Sequence, residues 1–146
     1  MHIMAKVVLI SCSKSKLGGK AMAIDMYTGA LFRLSLQYAK MLKPDKLFIL
    51  SAKHHLLAPN VVIEPYDLSL NSMNRDEISK WAETVIMQLH ENTDIDNDTF
   101  IMLAGSRYAK PLKPHLRRWE DPLDGLSLGN RLKKLKTLIS NREIHG

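Results

Sequence analysis

Cysteine is nearly absent: Cys12 is the only one in 146 residues. That excludes an internal disulfide and any zinc site built from several thiolates. Glycine and proline are also sparse, 7 and 6 residues, which excludes a collagen-like or low-complexity disordered chain. No stretch reaches the roughly 18 uninterrupted apolar residues that mark a membrane span. The opening MHIMAKVVLISCSKSK has an apolar run too short and too early for a secretory signal. The expectation is a cytoplasmic protein with no membrane partner. What is present, 45% apolar and 25% charged residues, suits a folded domain, which at this size buries about 68–70% of its unfolded surface. No repeat or linker divides the sequence, so residues 1–146 are expected to form one domain.

The formal charge is +6, from 21 basic and 15 acidic residues. Nine of the basic residues lie between Arg107 and Lys136, against three acidic ones, Glu120, Asp121 and Asp124. The rest of the chain is balanced. A surplus confined to one region is the footprint a polyanion would use, with Arg117, Arg118, Arg131, Lys133, Lys134 and Lys136 as its contacts. A merely solvated basic helix accounts for the same composition.

Ala5–Ile10, Leu47–Ser51 and Thr99–Leu103 are short apolar runs and read as strands buried on both faces. Helical patterns separate them. Leu31, Leu34, Tyr38 and Leu42 mark a helix over Thr28–Leu42, stopped by Lys43-Pro44. A second begins at Asn74, where Glu77 completes a capping box and Met73 staples against Ile78; its stripe is Trp81, Ala82, Val85 and Leu89. Tyr108–Trp119 reads as a helix interrupted by Pro111 and Pro114. Asn130–Ile139 reads as an amphipathic helix with Leu132, Leu135, Leu138 and Ile139 on one side and Arg131 with the lysines elsewhere. The order β, α, β, α, β predicts an α/β fold with a mainly parallel central sheet flanked by helices.

Each strand runs into small and polar residues: Ser11 to Lys16, Ser51 to His55, and Ala104 to Tyr108. In a parallel sheet these segments share the carboxyl edge, where open α/β proteins bind ligands. Ser13, Lys14, Lys16, Ser51, Lys53, Arg107 and Tyr108 are the candidate substrate contacts, the cations among them suited to phosphate. Polar strand ends without a ligand are the plainer alternative. Cys12 is either a nucleophile favoured by nearby lysines or a buried core cysteine. His54 and His55 are adjacent and cannot both line one site in extended backbone, so only one of them can act there, and His54 is taken as the candidate. Asp25, Glu64 and Asp67 are the candidate acids, and loop carboxylates also serve simply as turn formers. With no H-x-x-x-H pair or cysteine cluster, no metal or other cofactor is expected.

Six segments carry a resemblance: C-S-K-S-K at Cys12, D-M-Y-T-G at Asp25, L-S-A-K-H-H-L-L-A-P at Leu50, E-P-Y-D at Glu64, L-A-G-S-R-Y at Leu103 and P-L-D-G-L at Pro122. They resemble a bacterial and phage domain family of uncharacterised function, which is similar in turn to the YaaA peroxide-stress proteins. His55 stands where those relatives usually have glycine at a backbone turn. Cys12, Ser13 and Lys16 are also similar to the C-S-x-x-K portion of a motif in archaeosine synthase, a tRNA-base-modifying enzyme. The resemblance implies a YaaA-like core, association with nucleic acid and chemistry on a base.

Together these readings set an expectation of an enzyme acting on a base or nucleotide, by glycosidic cleavage or by base modification or transfer. Lys14, Lys16 and Arg107 would hold phosphate, and Tyr27 or Tyr66 would stack on the base. Asp67, His54 or Cys12 would supply acid, base or nucleophile, with Asp25 or Asp67 preferred for glycosidic cleavage. The partner would be nucleic acid, DNA before RNA, or a nucleotide. The alternatives are a noncatalytic DNA-binding stress-protection module and a small-nucleotide-binding protein.

Overall fold

A computed structural model describes residues 4–145. The three apolar runs form the centre of one sheet: β1 (Lys6–Ser11), β3 (Lys46–Ser51) and β6 (Thr99–Leu103). Between the first two of these come β2 (Ala21–Met22), α1 (Ala23–Met26) and α2 (Ala30–Met41). β4 (His55–Leu57), β5 (Val62–Ile63) and α3 (Arg75–Asn92) lie between β3 and β6. α4 (Ser106–Ala109), β7 (Trp119–Glu120) and α5 (Leu128–His145) complete the chain. The five-stranded sheet has the order β4-β3-β1-β6-β7, parallel except for the β3–β4 pair, while β2 and β5 form a separate antiparallel pair. The chain is therefore a single α/β domain with a mainly parallel sheet and helices on both faces.

Why β1 is central follows from its side chains. Val7, Val8, Leu9 and Ile10 are all fully buried, each worth about 1.5–3 kcal/mol once helices cover both faces of the sheet. Alternation sends Val7 and Leu9 toward Trp81, Val85 and Leu89 of α3, with Phe100 and Met102 beside them. Val8 and Ile10 face Phe32, Leu36 and Ala39 of α2 and Leu135 and Ile139 of α5. Asn74 caps α3 as expected: its side chain accepts from the Glu77 amide at 2.9 Å, and Glu77 accepts from the Asn74 amide at 3.1 Å.

Several expectations are corrected. In α2 Tyr38, and Leu42 at its end, are buried as expected, but Phe32, Leu36 and Ala39 join them in the core while Leu31 and Leu34 are only half-buried. A helix wedged between a sheet and a second helix buries more than one stripe. The stretch after β6 is not one interrupted helix: α4 ends at Ala109, a 3₁₀ turn spans Lys113–His115, and Trp119 enters the edge strand β7. The two prolines explain the break, and Lys113 fixes the new path by pairing with Asp121 at 2.7 Å and Asp124 at 3.4 Å. α5 is longer than read and turns Arg131 inward, 6% exposed, above Leu135 and Ile139. Among the described residues no helix is long and apolar enough to cross a membrane.

Candidate functional site

Register sets the site. Ser11 pairs with Leu50, and Ile10 with Leu103, so the three inner strands end within a residue or so of one another. The connection from β1 leads to β3 on one side, and the one from β3 crosses to β6 on the other. The reversal leaves a crevice between the carboxyl ends of β1 and β6, the usual ligand position in open α/β sheets. Ser11 bridges that crevice at its floor, its hydroxyl accepting from the Gly105 amide at 3.1 Å. Beyond it Cys12 donates its amide to the Leu50 carbonyl at 3.0 Å, which holds the start of the loop in the sheet.

Two adjoining hollows open there and share Cys12, Ser13, Lys14, Asn71 and Tyr108. The larger, about 600 Å³, is completed by Gly29 to Phe32 at the start of α2, by Gly105 to Arg107, and by Leu126, Leu128, Arg131 and Leu132. The smaller, about 500 Å³, adds Lys16 and the Asp67–Ser69 segment. Both volumes fall in the range of small-molecule sites. Lys14, Lys16, Arg107 and Arg131 line the pair of hollows against one carboxylate, Asp67. The cleft therefore favours an anion.

Two tyrosines stand behind the loops, Tyr27 fully buried and Tyr66 half-buried. Tyr66 hydroxyl lies 2.8 Å from that of Tyr27 and 2.7 Å from the Ser51 hydroxyl, which also accepts the His54 amide at 2.9 Å. Trp81 donates to the Ser51 carbonyl at 2.9 Å, tying this chain of hydroxyls to α3. Burial, then the nearby Cys12 sulfur, raises the Tyr66 phenol far above its ordinary range. The same two causes raise Tyr108, whose hydroxyl accepts from the Cys12 thiol at 3.4 Å. Both phenols stay protonated at neutral pH and remain hydrogen-bond donors. His54 packs edge-on to Tyr66 at 5.4 Å, with a buried Nε2 that has no hydrogen-bond partner among the described residues. Burial chiefly, then the Lys53 and His55 charges, pull its imidazole below the usual range.

A family model described as "Family of unknown function (DUF6884)" matches residues 7–137, most of the chain. The chain belongs to DUF6884. No curated protein matches it. The match covers every segment that lines the cleft of this DUF6884 domain.

Of the residues singled out in the sequence, the DUF6884 cleft gathers Cys12, Ser13, Lys14, Lys16, Asp67, Arg107 and Tyr108. Ser51, Lys53, His54 and Tyr66 sit behind it as a neighbouring group, with Lys16 Nζ 4.4 Å and Lys53 Nζ 5.9 Å from the Tyr66 ring centre. Tyr27 is not available for stacking, since its ring is 0% exposed and packs on Phe32 at 5.1 Å. Asp25 is exposed on α1 and lines neither hollow. Arg131 is no surface contact but a buried wall of the cleft, because it continues the Leu135 and Ile139 stripe at four-residue spacing. Arg117, Arg118, Lys133, Lys134 and Lys136 are exposed. Sequence reasoning missed the Asn71 segment and the α2 start; for the latter, the signal was Gly29 beside Ser13, where a Cβ would lie 2.7 Å from the Ser13 Cβ. Among the described residues no three His, Cys, Asp or Glu side chains converge as metal donors.

Proposed function

We propose that this DUF6884 chain is an enzyme acting on a base or nucleotide, free or in nucleic acid, with its reaction in the two-part cleft. The observation that carries this reading is the lining: four cations and a single carboxylate around a thiol and a buried phenol. Lys14, Lys16 and Arg107 neutralise phosphate. Asp67, on the loop before the 3₁₀ turn Leu70–Ser72, acts as base toward water or stabilises positive charge developing on a sugar. Cys12 is the nucleophile if the reaction is instead transfer to a base. The segments resembling the YaaA proteins, and the C-S-x-x-K residues shared with archaeosine synthase, support nucleic acid as the context. Exposed Lys133, Lys134 and Lys136 on α5 supply phosphate-backbone contacts outside the cleft and also support the second reading, a noncatalytic DNA-binding module.

The test begins with mass spectrometry of nucleosides and small metabolites after incubation with nucleic acid, to find the product. On that substrate Asp67→Asn is expected to lower turnover by about 10²–10⁴-fold with binding retained, the usual contribution of a positioned acid or base. Cys12→Ser leaves a measurable rate under hydrolysis. If Cys12→Ser alone abolishes turnover, transfer is the reaction. Full activity in both variants overturns the catalytic reading.

A further inference from the structure

We propose that Arg131 and the first turn of α2 form the phosphate pole of the cleft, where the terminal phosphate monoester of a mononucleotide docks. The identity of the group carrying the phosphate rests on the nucleotide reading above; the anion site rests on separate observations. Arg131 is 6% exposed, and its Nε and Nη1 donate to the carbonyls of Leu126 and Ala104, both at 2.8 Å. Those carbonyls fix the plane of the guanidinium without neutralising it. Nη2 has no acceptor among the described residues, nor does any carboxylate there form an ion pair with Arg131. Asp124, which borders a neighbouring hollow with Arg131, is paired with Lys113 at 3.4 Å. A guanidinium does not escape by deprotonation, so this buried charge lacks a counterion.

The start of α2, which lines the same hollow, supplies the complement. α2 has twelve residues, and Gly29 at its N-cap provides no side-chain cap. The amides of Ala30, Leu31 and Phe32 are among the first-turn donors that an α-helix leaves without intrahelical partners, and these residues line the same hollow as Arg131. The Gly29 amide is already taken by the Ser13 hydroxyl at 3.2 Å. A helix start and a fork-shaped cation, with exposed Lys14 and Arg107 on the same wall, match a phosphate dianion better than the single charge of an internal diester. The sugar and base then extend past Tyr108 toward Asp67.

The experiment is a titration of the ¹⁵N-labelled full chain with inorganic phosphate at constant ionic strength, followed by amide and arginine Nε–H signals. Saturable shifts at Ala30, Leu31, Phe32 and Arg131 are expected, with affinity falling about tenfold or more in Arg131→Lys, which keeps the charge and loses the fork. Shifts confined to the Lys133, Lys134 and Lys136 surface, or no saturable shift, overturn the proposal, and the wild-type measurement decides even if the variant does not fold. Repeating it with adenosine monophosphate and adenosine separates the two readings. A mononucleotide that perturbs the same amides but binds no tighter than inorganic phosphate removes the nucleotide reading and leaves the phosphate pole standing.

Discussion

Helix α5 holds its cations in two settings within two turns. Arg131 is buried with its guanidinium on two carbonyls, whereas Lys133, Lys134 and Lys136 project into solvent. By composition they form one basic run; by position they do different work. The buried cation closes the carboxyl end of β6 and adds its charge to that of Lys14, Lys16 and Arg107 in the cleft, while the exposed lysines of α5 set only the field outside it. Where a charge sits relative to the core decides what it does, and density along the chain does not.

The largest test of that contrast is Arg131→Ala. It strips donors from the Ala104 and Leu126 carbonyls, and an unfolding cost of about 2–4 kcal/mol is expected by chemical denaturation. A loss no greater than that of a surface lysine would erase the distinction. His55 extends the comparison to backbone: it carries φ +60°, the left-handed conformation that glycine adopts freely. The turn implied by the resemblance is thus kept, and His55→Gly should stabilise the domain by about 1 kcal/mol, read from the denaturation midpoint.

Partly buried imidazoles offer a pH version. Burial lowers His55, and burial with the Lys53 and His55 charges lowers His54, so both are neutral in the fold at pH values where the unfolded chain, titrating near 6.5, binds protons. Stability is expected to be full above about pH 6.5 and to fall as the pH drops toward the folded values. Replacing both with Gln should flatten the slope in that window; an unchanged slope would assign it to other groups. The smallest effect on stability belongs to the exposed set. Changing Lys133, Lys134 and Lys136 together to Gln should shift stability by less than about 0.5 kcal/mol per site. Nucleic-acid affinity and its salt slope should nonetheless both fall. A constant slope would make this face merely solvated.

What could be read from the sequence follows the same division. The three inner strands and the Asn74 cap were legible because continuous burial and reciprocal capping leave local patterns of residue type. β2, β4, β5 and β7 were not, since two or three residues carry no period to detect. The loops around Cys12 and Tyr108 were legible as polar ends of apolar runs. Arg131 was not, because a polarity scale places it with its basic neighbours; its four-residue spacing from Leu135 and Ile139 was the overlooked clue. Tyr27 failed for the converse reason, an aromatic in a polar-looking segment that tertiary packing covers completely.

The tie between Arg131 and the end of β6 also has a bearing on synthesis. The cleft draws its walls from the loop after β1, the start of α2, the Asp67–Ser72 loop, the β6 end and finally α5. A nascent chain emerging from the ribosome can pair β1 with β3 early, yet it has no closed cleft until Arg131 has left the exit tunnel and reached Ala104. A fragment that stops short of Arg131 leaves the carboxyl end of β6 without this wall, so the cleft closes only when α5 docks.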